Sequence, residues 1–493
     1  MTALPRVVFR NSVFGYGAQL LVKVLSFGFS VLIVRHLGVE SYGQYAAILA
    51  FGAVFVFLAD LGLSPFLVRE VASLRDRTDG EAAAQALFGD VLSVRLMLSV
   101  LTAAVVVGAA WITGRPFQMV VAIALGTLGL IMYGAQGTAD AMLAGHERLD
   151  LSAGARVLNQ VVFVAVGGLA LWLGAGYFGL IGANLVGVAL MTWACWRAIA
   201  RLRVRPHRPA PAVWPRLIRR ALPFGLIAFT LGLSYKLDSV LLNLFRGDAE
   251  TGLYAAAYSL VFSIVMLSNV MNTALYPSLS RAAASTPAIL PAIYDRALRY
   301  LVVMALPISA GICILAEPLM RQLFSSEYAA AAETLRIVIW VVPLMFASEF
   351  LGYIVVVQGR ENRVARALAI STTFNVLLNL LLIPRYGLLA AATMTVLTET
   401  VLVAQYTWTL RGILRNLQWD RILIRPPLAT LAMASCVYLL RDAPLVSAIA
   451  VGAAVYLTLI VALGVVGRDE IRFLRGLRSP GLVPSTETTY ASS

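Results

Sequence analysis

GVESYGQYAA (Gly38–Ala47) recurs as GDAETGLYAA (Gly247–Ala256), with both glycines, the tyrosine and the two final alanines in common. Ser30-Val31-Leu32 precedes the first copy at the offset at which Ser239-Val240-Leu241 precedes the second. Two further pairs follow in the same order: AGHER (Ala144–Arg148) with QGREN (Gln358–Asn362), and FGLIGA (Phe178–Ala183) with YGLLAA (Tyr386–Ala391). Each segment punctuates long apolar runs, so the chain reads as two related halves.

The apolar runs set the fold class. A run of about 18 to 25 residues is long enough to cross a bilayer. Fourteen are read: Asn11–Val34, Tyr45–Leu67, Val91–Thr113, Met119–Leu143, Ala155–Leu173, Phe178–Trp196, Pro223–Phe245, Leu253–Tyr276, Leu301–Ala316, Ile337–Val357, Ala367–Ile383, Leu388–Leu410, Pro427–Leu440 and Leu445–Val466. The chain is 60% hydrophobic and 13% charged, with a mean hydropathy of +0.83. This describes an all-α polytopic membrane protein with no room for a soluble domain. Spans one to six and seven to twelve form two bundles. Six is even, so both bundles enter with the same orientation, as parallel repeats about an axis along the membrane normal. The expected organisation is an N-terminal bundle (1–196), a basic cytoplasmic linker (197–222), a C-terminal bundle (223–411), two appended helices (412–466) and a cytoplasmic tail (467–493).

Arginine placement orients the chain. Alternate loops hold 29 arginines in one set, including eight between Arg197 and Arg220. The other set holds seven: Arg35, Arg115, Arg246, Arg321, Arg336, Arg385 and Arg441. Positive loops stay inside, so both termini are expected in the cytoplasm. The net charge of +14 is then topological and meets anionic lipid headgroups; no nucleic-acid partner is needed. Cys195, Cys313 and Cys436 lie in apolar runs and read as small core residues, without the grouping of a metal site. The first run is of spanning length and interrupted by a lysine, unlike a cleavable signal peptide.

Only two lysines exist, Lys23 and Lys236, and both lie within apolar runs. An ionisable group at bilayer depth is costly and marks a wet cavity, a ligand or a partner. The repeat sets Lys236 opposite Phe27, one helical turn from Lys23 on the same face. Tyr16, Gln19, Lys23, Ser26 and Ser30 form a polar stripe at helical spacing. Lys236, Ser239 and Asn243 share a face, from which Asp238 points away. Asn375 and Asn379 lie one turn apart. Asp60, Asp238, Glu349 and Glu399 are membrane carboxylates suited to binding Na⁺ or a proton; the alternatives are that Glu349, Asp238 or Glu399 pairs the lysines and holds helices together, and that Asp60 is solvated near the cytoplasmic interface. Arg95 is read as a snorkelling residue.

Several stretches carry a family resemblance. VRHLGVESYGQYAAILAF…LADLGLSPFLVREVA resembles the opening of polysaccharide-biosynthesis membrane proteins. KLDSVLLNLF…GLYAAAYSL…ALYPSLSR, PLMFASEFLGYIVVVQGRENR and NVLLNLLLIPRYGLLAAATMTVLTE are similar too. The family includes O-antigen (Wzx-type) flippases of the multidrug/oligosaccharidyl-lipid/polysaccharide superfamily. The resemblance spans roughly Arg10 to Arg411 and implies a non-enzymatic transporter of the bacterial inner membrane. It would move a polyprenyl-diphosphate-linked glycan to the outer leaflet by alternating access, with polysaccharide polymerase or assembly proteins as partners. Lys23 and Lys236 would meet the diphosphate. Tyr16, Gln19, Asn243, Asn375 and Tyr353 would meet the glycan. No cofactor is expected beyond a coupling H⁺ or Na⁺. A multidrug antiporter for organic cations is disfavoured by two intramembrane lysines. A membrane polymerase or glycosyltransferase is disfavoured by short outer loops and by histidines (His36, His146, His207) without partner clusters. A peptidoglycan-precursor flippase shares the plan and the diphosphate.

Overall fold

A computed structural model describes the backbone of residues 4–74, 77–285 and 289–465. Side chains are described from residue 21 onward, apart from residue 54 and positions within 227–235 and 270–288. The described chain is helical throughout: α1 (Leu4–Asp60), α2 (Leu63–Leu74), α3 (Gly80–Ile112), α4 (Phe117–Gly145), α5 (Leu149–Trp172), α6 (Gly176–Arg201), α7 (Trp214–Arg246) and α8 (Asp248–Ser285). It continues through α9 (Leu290–Ile314), α10 (Ala316–Leu323), α11 (Ala331–Val338), α12 (Val341–Val357), α13 (Glu361–Leu414), α14 (Arg425–Leu439) and α15 (Leu445–Ala462).

Two helices exceed any bilayer. The 54 residues of α13 would extend about 81 Å if straight, against a hydrocarbon core of about 30 Å. Each long helix is broken by one glycine: α1 at Gly38 (φ 71, ψ 171) and α13 at Gly387 (φ 57, ψ −135). Gly247, between α7 and α8, adopts nearly the Gly38 conformation (φ 87, ψ −172). Those angles are essentially restricted to glycine, so the first shared glycine of the repeat makes the same turn in both halves. The other two anchors also stand near turns at positive-φ residues: Glu147 and Gly359 at the second, and Gly174, Gly176 and Gly387 at the third.

By length and composition, ten described helices suffice to cross a membrane, or eleven if Ser326–Val338 and Val341–Val357, bent by 43°, form one span. Two of these, Leu21–Leu74 and Glu361–Leu414, run for 54 residues each, and each takes in two of the fourteen runs expected from hydropathy, one on either side of its glycine break. Three boundaries differ from the hydropathy reading, because the chain stays helical through breaks read as loops. Helix α6 continues to Arg201 and α7 begins at Trp214, so the non-helical part of the 197–222 linker shrinks to the region around a short 3₁₀ turn, Pro211–Val213. Residues 317–333, expected as an outer loop, are built from α10, a 3₁₀ turn (Ser326–Ala330) and α11. The thirteenth span starts earlier, as a π-helical turn (Asp420–Ile424) running into α14.

In the first half α5 packs on α6, α3 on α4, and α4 on α6; in the second, α13 packs on α7 and α12. Helix α1 bridges the halves by packing on α5, α7 and α8. Helices α14 and α15 pair with each other and lean on α9 through a separate apolar cluster around Met433, Val437 and Tyr456.

The halves touch most closely through the second shared glycine of the repeat. A Cβ built on Gly43 would lie 1.8 Å from the Asp248 carbonyl oxygen and 3.0 Å from the Gly252 nitrogen. A Cβ built on Gly252 would lie 2.1 Å from the Val39 carbonyl oxygen and 3.1 Å from the Gly43 nitrogen. Val39 and Asp248, like Gly43 and Gly252, are repeat equivalents, so the contact is reciprocal. On the same side Tyr328 donates its hydroxyl to the Val34 carbonyl (3.2 Å), and the Arg35 guanidinium donates to the Gln322 carbonyl. A second glycine contact forms where α1 ends: a Cβ on Gly62 would lie 2.3 Å from the Gly225 nitrogen.

Candidate functional site

Lys23 and Lys236 line one cavity of about 790 Å³. Its walls come from both halves: Lys23, Ser26 and Ser30 on α1 before the Gly38 break, Tyr42 and Tyr45 after it, Lys236 and Ser239 on α7, and Tyr258, Ser259 and Ser263 on α8. Leu319 and Leu323 of α10 close one side. The size falls in the range that holds drug-sized ligands. Lys236 is exposed to this space and Lys23 half-buried in it. The Lys23 Nζ sits 5.8 Å from the centroid of the Phe262 ring, a cation–π distance. Among the described residues, neither ammonium has a carboxylate in ion-pair contact. The sequence reading that paired them with Glu349, Asp238 or Glu399 is therefore not the arrangement found.

Those acids have other partners. Asp238 is buried and accepts from Asn379 Nδ2 (2.7 Å), Thr395 Oγ1 (3.0 Å) and Tyr254 Oη (3.2 Å). It thus faces away from the lysine cavity, as its two-residue offset from Lys236 requires. Glu349 accepts from Ser268 Oγ (2.9 Å) and Asn272 Nδ2 (3.2 Å), and Glu399 accepts from Ser348.

Asp60 pairs with Arg95 at 3.0 Å, and Ser64 bridges them, donating to Asp60 at 2.6 Å and accepting from Arg95 at 2.6 Å. Arg95 is therefore not a snorkelling residue: its side chain is 11% exposed and its charge is directed inward. Both residues line a smaller cavity of about 320 Å³ beside the Gly62–Gly225 contact. Asp60→Ala leaves this guanidinium without its carboxylate. The expected loss is about 2 kcal/mol, below the ~3–5 kcal/mol of a fully buried pair because a cavity adjoins it. Thermal unfolding of the purified variant checks this; an unchanged melting temperature contradicts it.

The glycan-contact candidates separate from the lysines. Asn243, buried at the end of α7, donates to Asp248 Oδ1 (2.7 Å) and braces the Gly247 turn. Asn375 is buried and donates to Thr398 (3.1 Å). Both are engaged in helix packing, outside the lysine cavity. The side chains of Tyr16 and Gln19 lie outside the described residues. The hydroxyls of Tyr42, Tyr45, Ser259 and Ser263 were missed by sequence reading, although Tyr45 and its repeat partner Tyr254 stand in the repeated motif.

A multi-pass helical protein with an internal cavity between two related halves has the architecture of a membrane transporter. The chain belongs to the polysaccharide biosynthesis protein family, which it matches over residues 8–283. Residues 223–381 also match the MatE family. The chain is 21% identical over 408 residues to the probable low-salt glycan biosynthesis flippase Agl15 of Haloferax volcanii, covering 81% of this chain and 82% of that one. Its fold is similar to that of the lipid II flippase MurJ in an inward closed conformation (TM-score 0.78, 14% identity, 93% of this chain and all of that one). It is also similar to an inward-facing multidrug resistance MATE transporter (TM-score 0.61, 14% identity, 80% of this chain and 95% of that one).

Proposed function

We propose that the protein moves a polyprenyl-diphosphate-linked oligosaccharide across the bacterial inner membrane, from the cytoplasmic to the outer leaflet. One observation carries this reading: both lysines of the chain face one cavity between the halves, without carboxylate partners among the described residues. A diphosphate concentrates negative charge that hydrocarbon excludes, and two cations in a low-dielectric chamber offset that exclusion. The hydroxyl-bearing walls suit sugars. The name of the Haloferax relative points the same way. Residues 1–196 and 223–411 would rock about the cavity, with both termini cytoplasmic. Asp60, Asp238, Glu349 and Glu399 are the groups available to couple H⁺ or Na⁺ to that motion, and Asn375 and Asn379 keep a buried carbonyl oxygen without a donor near Asp238. O-antigen-type glycans, for assembly by a polysaccharide polymerase, are the preferred cargo. A peptidoglycan-precursor lipid is the second reading, favoured by the fold likeness to MurJ.

Proteoliposomes holding the purified protein and a fluorescent polyprenyl-diphosphate disaccharide test this. Protein-dependent translocation is expected, with no movement of an uncharged analogue. Equal movement of both lipids, or none of either, would sink the proposal. Exchanging the disaccharide for a peptidoglycan-precursor headgroup separates the two readings.

A further inference from the structure

Seven arginines lie in the arginine-poor set of loops, and three of them, Arg321, Arg336 and Arg441, line one pocket of about 640 Å³. They come from the consecutive helices α10 and α11 and from the residues after α14, far along the chain from both. Topology disfavours arginine in these loops, so orientation of the chain does not account for the convergence. Two of the guanidiniums are held in place. Arg321 pairs with Glu317 at 3.0 Å, and Arg441 lies 4.6 Å over the Tyr438 ring and 3.7 Å from Asp442. Arg336 is exposed and has no carboxylate in ion-pair contact among the described residues. With three cations and two acids, the pocket has an excess of one positive charge, suited to a singly charged phosphodiester.

The surroundings select the source of that phosphodiester. Leu439, next in sequence to the pocket residue Tyr438 at the end of α14, and Val446, on the first turn of α15, are 82% and 79% exposed. In a membrane-spanning chain such residues face acyl chains. We infer that this pocket binds the headgroup of an anionic phospholipid, with guanidiniums on the phosphodiester and acyl chains along Leu439 and Val446. The site lies apart from the lysine cavity, and its occupancy is measured without transport, so it stands or falls independently of the flipping proposal.

Native mass spectrometry of the protein in detergent, titrated with phosphatidylglycerol or phosphatidylcholine, reads it. Phosphatidylglycerol retention at least fivefold above phosphatidylcholine is expected, reduced about fivefold by Arg336→Gln with Arg441→Gln. Asp442→Asn, which removes a competing carboxylate, is expected to raise retention. If the double variant fails to fold, Arg336→Gln alone carries the test, since that side chain is exposed. Equal retention of the two lipids, or retention unmoved by these changes, overturns the assignment. Displacement of the lipid by an equal concentration of soluble glycerophosphoglycerol overturns the lipid as source.

Discussion

Leucine in place of Gly43 or Gly252 is expected to open the cavity on the Gly38 side while leaving each half folded. Neither glycine has a positive φ, so a side chain suits the helix itself; in open space it would add up to about 1 kcal/mol of helix propensity. What forbids it is the partner backbone, which a Cβ would approach to 1.8 or 2.1 Å. Forced overpacking costs about 1–3 kcal/mol, and here only the closed arrangement bears that cost. A bias of about 2 kcal/mol shifts the closed-to-open ratio roughly thirtyfold. A cysteine placed at Ser259, after replacing Cys195, Cys313 and Cys436, should then react with a membrane-impermeant maleimide far faster in the leucine variants. A fall in melting temperature with unchanged labelling would mean that the glycines serve packing alone.

The second large effect concerns the lysines. At about 4 Å a unit charge pair is worth ~1 kcal/mol in water and ~4 kcal/mol at an effective dielectric near 20. Lys23→Ala or Lys236→Ala should therefore slow flipping of the diphosphate lipid by at least about tenfold, and the double change should bring it to background. Arginine at either position keeps the charge and should restore a substantial fraction, though its planar fork differs from a compact ammonium. Because neither lysine holds an ion pair among the described residues, removing them leaves no stranded carboxylate. Melting temperatures should stay close to that of the unaltered protein. A double variant that melts normally and flips normally contradicts the proposed role.

How much of this could be read from sequence follows from which signals are local. The lysines declare themselves because each interrupts an apolar run, and the repeat register alone puts them on equivalent faces. Gly38 and Gly247 were visible as repeat anchors for the same reason. Partners were not visible. Asp60 and Arg95 lie on different helices, and Asn243 loses its amide to Asp248 only because Gly247 turns the chain back. The reciprocal clearance at Gly43 and Gly252 depends on the distance between backbones, which no residue pattern records. Helices α10 and α11 were hidden in a polar stretch, since Leu319, Met320 and Leu323 repeat over one short turn-and-a-half that a span-length window averages away.

If the two lysines receive a diphosphate, direct binding reveals it without any transport step. Calorimetric titration of the purified protein with farnesyl diphosphate, and separately with farnesol, isolates the headgroup. A clear preference for the diphosphate is expected, falling at least about tenfold in Lys23→Ala and in Lys236→Ala. A preference of undiminished size in the double variant would contradict it.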